Sequence, residues 1–315
     1  MDNFLIIDLG TNTVIFSVIR QNNSELIITH EKSITTRIGE NISNQNGISK
    51  SALDRNVKTI SEEIQKIQKK AQIKSIFAMT TEAVRCATNG DSCVKILNSK
   101  CGVKFNTISG LDEARFTADA LYGFSKDKGL CAICDIGGGS TEVIITNNGK
   151  TKNSESFPIG VVRLEEEFAL SNGNKNLAPV IKKIEATVKT IKTKVDTLIL
   201  CGGTATVTAA IMLGLSNYDP NKVEGFELKK DELEKLIETL FKSNLEQIKN
   251  LLTTDKARAD VITAGVVIIY ELLKMFSPNK TIVSTYGPRH GFAMEKLRIK
   301  APCKITYQLK TKVGA

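Results

Sequence analysis

Cys134-Asp135-Ile136-Gly137-Gly138-Gly139-Ser140-Thr141-Glu142 closes one apolar run and opens the next. Residues 130–134 before it read as a β-strand, residues 143–145 after it as a second strand, and Asn148-Gly149 is a hairpin signal. The pattern occurs earlier too. Ile7-Asp8-Leu9-Gly10-Thr11 aligns with Cys134-Asp135-Ile136-Gly137-Gly138, and the turn Gly10-Thr11-Asn12-Thr13 joins a strand over 4–9 to one over 14–20. Two copies of strand, Asp-x-Gly, hydroxyl-bearing turn and strand imply a duplicated fold whose halves face each other across an interdomain cleft that takes the ligand.

The surrounding periodicities fill in each copy. After the first, residues 25–29 complete an antiparallel meander. Ser49 or Ser51 then caps a long helix in which Leu53, Val57, Ile60, Ile64 and Ile67 recur at helical spacing. Strands at 75–80 and 103–108 follow, with helices around 83–97 and from Leu111. After the second copy come helices near 162–168 and 178–191, a strand at 197–200, and a Gly-Gly-Thr turn that opens a helix over 205–213. Helices near 231–241 and 255–276, a strand at 281–284 and a short last helix complete the pattern. The expected class is α/β, with an N-terminal domain over 1–124, a second over 125–300 and a tail over 301–315.

The 315 residues are 41% hydrophobic, enough for two packed cores, and no run approaches the ~20 apolar residues that span a bilayer. Glu271 interrupts the best candidate, residues 264–270. With Asp2 and no basic region or cleavage site at the N-terminus, a cytoplasmic protein with no membrane partner is expected. Seven cysteines, an odd number in a chain of this size, fit reduced thiols. The formal charge of +9 favours a polyanionic partner, although lysines such as Lys66, Lys69 and Lys70 also suit a solvated helix face. Aromatics are only 5% and are not interleaved with basic stretches, which disfavours nucleic acid.

Glycines at 137–139 let backbone N–H groups approach an anion, and Ser140 and Thr141 add hydroxyl donors, so the loop suits a phosphate. Asp135 and Glu142 bracket it as hard oxygen ligands for Mg²⁺. The turn Thr11-Asn12-Thr13 is the first copy's counterpart, although an ordinary hairpin turn has the same composition. Gly202-Gly203-Thr204 follows an apolar strand and opens a helix, where the dipole favours phosphate; glycine packing is the alternative. Glu113 stands in the first turn of a helix, as a reactive carboxylate or as one that offsets the helix dipole. Arg85 and Arg289 occupy loop-to-helix positions where a guanidinium fork suits phosphate, or where a salt bridge would form. Cys131-Ala132-Ile133-Cys134 has CxxC spacing, but residues three apart on a strand point to opposite faces and share no metal easily. With only His30 and His290 present, carboxylates are the natural acid–base groups.

Across residues 4–297 the chain resembles the exopolyphosphatase and guanosine pentaphosphate phosphohydrolase family, within the actin, sugar-kinase and heat-shock ATPase superfamily. The resemblance rests on Asp8-Leu9-Gly10-Thr11-Asn12-Thr13, Thr80-Thr81-Glu82-Ala83-Val84-Arg85, the stretch 109–115, the loop 135–142, Pro158-Ile159-Gly160, Gly202-Gly203-Thr204, Arg258-Ala259-Asp260 and Gly287-Pro288-Arg289-His290-Gly291. It implies two duplicated actin-like, ribonuclease H-like domains. It implies hydrolysis of a terminal phosphoanhydride, releasing phosphate from polyphosphate or converting pppGpp to ppGpp. By the same resemblance Glu113 is the catalytic base, and Asp135, Glu142 and Asp8 hold Mg²⁺, with Mn²⁺ as a substitute and a monovalent cation as a further candidate. Thr11, Asn12, Thr13, Arg85, Gly137, Gly138, Gly139, Ser140, Thr141, Gly202, Gly203, Thr204, Arg258 and Arg289 bind phosphate. A kinase of the superfamily and a non-catalytic polyphosphate or alarmone sensor are the competing readings, and a homodimer is left open.

Three departures bear on that resemblance. Relatives often show Val-His-Gly where Val223-Glu224-Gly225 stands, and a carboxylate there is expected to weaken phosphate binding. Pro288 and His290 replace Leu and Glu around Arg289, which bears on how that arginine is oriented. Longer members append an all-helical region that does not follow here, which implies fewer phosphates held along a long chain.

Overall fold

Alternation along the first strand decides which face of the first sheet is buried against what. In a computed structural model that describes residues 2–23, 25–42, 47–172, 176–190 and 193–309, β1 (Asn3–Leu9), β2 (Thr13–Asn22) and β3 (Glu25–Thr35) form an antiparallel meander. β4 (Ile73–Thr80) lies parallel to β1 and β5 (Phe105–Thr107) parallel to β4, while the strand Lys304–Tyr307 lies parallel to β3. Leu5, Ile7 and Leu9 share one core with Val14, Phe16 and Val18 and with Leu53, Ile60, Ile64 and Ile67 of the helix Lys50–Lys70. Ser49 caps that helix by accepting the Ala52 N–H at 3.1 Å, which chooses it over Ser51. Ile6 and Asp8 point to the opposite face. There the helices Gly110–Ala120 and Pro288–Lys296 pack on each other, with Phe116 edge-on to Phe292 at 5.7 Å between centroids. Gly291 permits the approach: a Cβ there would lie 2.0 Å from the Phe116 carbonyl oxygen.

The second sheet repeats the first. β6 (Leu130–Ile136), β7 (Thr141–Asn147) and β8 (Lys150–Phe157) form the meander, and β9 (Thr197–Cys201) is parallel to β6. The two-residue β10 (Phe226–Glu227) pairs with β11 (Lys280–Val283), which is parallel to β9. The order β8-β7-β6-β9-β11 therefore matches β3-β2-β1-β4-β5. Ala132, Cys134, Ile136, Leu198 and Leu200 join a core dominated by the helix Ile262–Phe276, in which twelve residues are buried.

The structure corrects the expected domain limits. One unit is Met1–Gly123 with Pro288–Ala315, and the other is Phe124–Gly287. Residues 288–300 belong to the first unit because Phe292, Ala293 and Met294 are buried on the helix that packs against Gly110–Ala120. The expected tail contributes a strand to the same unit, and residues 310–315 lie outside the described residues.

Two expected helices are also divided. The stretch 83–97 becomes Glu82–Cys86 and Gly90–Cys101, the Gly90 N–H turning back to the Ala87 carbonyl at 3.0 Å. The stretch 255–276 becomes a 3₁₀ turn, Lys256–Arg258, and the helix Ile262–Phe276, because Arg258 folds back onto Asp255. The helix expected over 178–191 ends at Thr187, and residues 191–192 lie outside the described residues. Among the described residues no helix is long and apolar enough to cross a membrane.

Candidate active site

In the first unit the turn after β1 is closed by the Gly10 N–H donating to the Thr13 carbonyl at 3.0 Å. Residues 36–39 buttress it: Thr36 and Arg37 donate N–H groups to the Asn12 carbonyl at 3.0 and 2.9 Å, and Gly39 donates to the Thr11 carbonyl at 3.0 Å. The backbone is thus satisfied, but the Asn12 side chain is not. It is 4% exposed, and neither Nδ2 nor Oδ1 has a hydrogen-bond partner. Leaving a buried amide unpaired costs about 1–3 kcal/mol, so Asn12 holds donor and acceptor capacity that the fold does not use. Thr11 and Thr13 are buried beside it.

Glu113 is positioned by the start of its helix. Ser109 accepts the Asp112 N–H on Oγ at 3.0 Å and the Glu113 N–H on its carbonyl at 2.9 Å. The Glu113 carboxylate is 7% exposed and accepts Arg85 Nη1 on Oε2 at 3.2 Å. Arg85 gives its other donors to neighbours, Nη1 to the Ile108 carbonyl at 2.7 Å and Nε and Nη2 to Glu82 Oε2 at 3.1 and 2.8 Å. Four hydrogen bonds thus run from Arg85, expected as a phosphate ligand, to protein acceptors, two of them to Glu82 and one to Glu113.

Arg289, also expected as a phosphate ligand, is likewise engaged by protein acceptors. Its Nε and Nη2 donate to the two oxygens of Glu31 at 3.0 and 3.2 Å, and Nη2 also donates to Tyr307 Oη at 3.1 Å. Glu31 accepts the Ser17 hydroxyl as well, at 2.8 Å. Burial raises the pKa of Asp8 to about 6, against the pull of the Arg289 charge and with the help of Glu31. Burial works against the charge on Arg289, but Glu31, Tyr307 and Asp8 outweigh it and hold the guanidinium protonated. Arg289 is thus a buried counter-charge beneath β1. Asp8, expected as a metal ligand, already lies in the field of a fixed cation.

The second unit builds its turn the same way, the Gly137 N–H donating to the Ser140 carbonyl at 2.9 Å. The loop's carbonyls are taken by the following helix, Val161–Phe168: Val161 and Val162 donate N–H groups to Gly137 and Gly138, and Arg163 Nε donates to the Gly139 carbonyl at 2.7 Å. Gly160 is required here, since a Cβ would lie 2.3 Å from the Gly138 oxygen. Among the described residues the amides of Gly138, Gly139 and Ser140 donate to no protein acceptor. The Thr141 hydroxyl is spent on the Ile159 carbonyl at 2.6 Å.

Asp135 and Glu142 are opposite each other in the β6–β7 ladder, which puts both carboxylates on one face. They are 6% and 1% exposed, and Glu142 Oε1 accepts the Ser156 hydroxyl at 2.7 Å. Gly202, at φ 84°, lies against Asp135: a Cβ would be 2.4 Å from Oδ1. Gly203 lies under the Arg258 guanidinium, 2.5–2.6 Å from where its Cβ would be, and Asp255 holds Arg258 Nε at 2.7 Å. The structure thus brings the 137–141 loop, the 202–204 turn, Asp135 and Arg258 together within one unit, with Thr204 buried at the helix start.

Two opposed buried carboxylates suit a hydrated divalent ion, which commonly takes one or two carboxylates and completes its shell with water and substrate oxygens. Among the described residues no three His, Cys, Asp or Glu side chains are grouped to hold a metal, so within the second unit the candidate set is the pair Asp135 and Glu142. The CxxC pair is divided between faces: Cys134 is in the sheet's larger core, Cys131 is outside it, and burial pushes the Cys134 thiol well above the usual range. Glu224 turns inward, accepting the Ser284 hydroxyl at 2.6 Å, the Thr285 N–H at 2.7 Å and the Thr285 hydroxyl.

Several residues in these contacts were not anticipated. Glu82 lay inside a stretch already singled out, three residues before its partner Arg85. Ser156 and Glu31 carried no local signal, since only strand register brings them to Glu142 and Ser17.

Two sheets of matching order, each with an Asp-x-Gly turn beside a parallel strand that leads into a helix, are the two domains of an actin-like fold. Residues 17–299 match the model of the Ppx/GppA phosphatase family, and the chain belongs to that family. It is similar to a bifunctional 3-dehydroquinate synthase/phosphatase of Fusobacterium nucleatum, at 30% identity over 95% of this chain and 47% of that protein, so it spans about half of that relative's length. It is 23% identical to a putative exopolyphosphatase of Haemophilus influenzae, over 92% of this chain and 90% of the other. Among solved structures, the Aquifex aeolicus member of the Ppx/GppA family superposes with a TM-score of 0.77 at 26% identity, covering 94% of this chain and 98% of that one.

Proposed function

We propose that the protein releases phosphate from the end of a phosphoanhydride chain, inorganic polyphosphate or pppGpp, by attack of water. The observation that carries this reading is Glu113, a buried carboxylate fixed on one oxygen by Arg85 in a chain with two phosphate-type turns. In the reading, Glu113 orients the attacking water and accepts its proton. The Asn12 amide and the N–H groups of 138–140 hold phosphate oxygens, and Arg258, braced by Asp255, adds positive charge beside the Gly202-Gly203 turn. Asp135 and Glu142 are the residues that would hold Mg²⁺, which when bound neutralises charge on the phosphates. Positioning and charge neutralisation supply most of the catalysis in phosphoryl transfer. The soluble, cytoplasmic setting expected from sequence belongs to the same reading.

The test is a phosphate-release panel with short polyphosphate, long polyphosphate, pppGpp and ATP, each with Mg²⁺ and with chelator. Release from polyphosphate or pppGpp that chelation abolishes is the expected outcome. ATP consumption that requires an acceptor would identify a kinase instead, and tight binding with no turnover a sensor. Glu113→Gln should lower turnover by ~10²–10⁴-fold with a much smaller change in KM. A helix-start carboxylate with no role in the reaction would leave turnover near wild type.

A further inference from the structure

The short helix Glu82–Cys86 carries a buried carboxylate to which this reading gives no task. Glu82 is 7% exposed; its Oε2 takes both Nε and Nη2 of Arg85, and its Oε1 accepts the Cys86 thiol at 3.0 Å. The Nε–Nη2 edge is the side a guanidinium uses for its paired carboxylate bonds, and here both of its donors converge on one oxygen of Glu82. Arg85 therefore spends its fork on Glu82 and reaches Glu113 only with the Nη1 corner, at the longer distance of 3.2 Å. Nη1 is itself shared with the Ile108 carbonyl.

This division has a chemical consequence. A carboxylate that takes two guanidinium donors is a poor proton acceptor, because the cation stabilises its charged form. A carboxylate touched at one corner is oriented without losing as much basicity. We propose that Glu82 is a positioning residue that captures the fork of Arg85, so that Glu113 is aimed by the guanidinium yet stays basic enough to take a proton from water. The inference rests on the proposed role of Glu113 as the base, and Glu82 itself touches no reacting atom.

Charge alone sets the expected signs. Replacing Glu82 by Gln removes a negative neighbour and frees the fork for Glu113, and both changes favour ionised Glu113. Replacing Arg85 by Gln removes the cation and favours the protonated acid. The charged and titratable groups of the two packed helices have partners of their own or are buried. On its own helix Arg115 pairs with Asp112 and with Glu295 of the helix packed against it, and on that second helix Arg289 is held by Glu31 and His290 is buried.

The experiment uses the full chain labelled with ¹³C-carboxyl glutamate. Glu113 is assigned by the signal lost in Glu113→Gln, and its titration is followed by NMR in the wild type, Glu82→Gln, Glu82→Asp and Arg85→Gln. In parallel, the pH profile of phosphate release is measured with tripolyphosphate and pppGpp. The Glu113 midpoint, and with it the acid limb of the profile, should move down in Glu82→Gln and up in Arg85→Gln. Turnover in Glu82→Gln should fall by roughly 10–10²-fold, the scale of a misplaced catalytic group, while KM changes little. Glu82→Asp keeps the charge one methylene further back and should lie between wild type and Glu82→Gln. If Glu82→Gln does not fold, wild type against Glu82→Asp carries the same sign. A midpoint unmoved by loss of Glu82, or moved in the same direction as in Arg85→Gln, overturns the inference. The NMR arm needs no turnover, so a wild type that releases no phosphate would sink the proposed reaction while the titration still decided what Glu82 does.

Discussion

Gly10 and Gly137 stand at the same step of two copies of one hairpin, and each closes its turn with an N–H bond to the carbonyl three residues on, at 3.0 and 2.9 Å. The rung before the turn differs. Asp8 faces Ile15 across the first ladder, whereas Asp135 faces Glu142 across the second. The first copy carries one carboxylate and sets a protein cation near it, Arg289, itself locked to Glu31. The second carries two carboxylates on one face. The backbone of the motif is the same while its charges differ: one half sets its aspartate near a protein cation, and the other sets two carboxylates opposite each other.

The largest effect should come from the internal cation. Arg289→Met leaves Glu31 and Asp8 without their buried counter-charge and should cost about 3–5 kcal/mol in urea unfolding, the same with and without Mg²⁺. A Mg²⁺-dependent loss would break the comparison. Next in size is the second copy. Glu142→Ala and Asp135→Ala should raise the Mg²⁺ needed for half-maximal phosphate release by ~10²-fold or more and abolish any rise in Tm caused by Mg²⁺. Removing only the donor to Glu142, with Ser156→Ala, should weaken Mg²⁺ affinity by roughly 10-fold, as outer hydrogen bonds to a metal ligand do. Unchanged metal dependence in all three would remove the assignment.

The last prediction concerns Asp8. Its folded-state pKa is raised to about 6, so between about pH 4 and pH 6 the native state holds a proton that the unfolded chain has lost. The stability due to protonated Asp8 is full below about pH 4 and is lost as pH rises through 6. Asp8→Asn should therefore be nearly neutral at acid pH and, above pH 6 in metal-free buffer, stabilising by on the order of 2 kcal/mol. Thermal melts across that range check the sign. A variant destabilised at pH 7 would show that Asp8 is needed ionised beside Arg289.

Much of this architecture was readable from local pattern. The repeat of Asp-x-Gly with its hydroxyl turn announced two matching sheets, and Leu53, Val57, Ile60, Ile64 and Ile67 announced the long helix, because both signals are carried by neighbouring residues. The polar strand β8, Lys-Thr-Lys-Asn-Ser-Glu-Ser-Phe, gave no apolar alternation, and it is exposed over its first four residues. The fates of Arg85 and Arg289 were hidden for another reason. A basic residue at a helix start suits a phosphate or a carboxylate equally, and only the packing of 82–86 against 108–113, or of 288–296 under β1, decides which it meets.

That last helix also fixes an order of events. Residues 124–287 form a continuous stretch, complete once residue 287 has left the ribosome, and they can fold as a unit while synthesis proceeds. The first unit must wait. Its edge strand at 304–307, Phe292 for Phe116 and Arg289 for Glu31 all emerge after residue 287, so the unit whose strands are made first is the unit completed second.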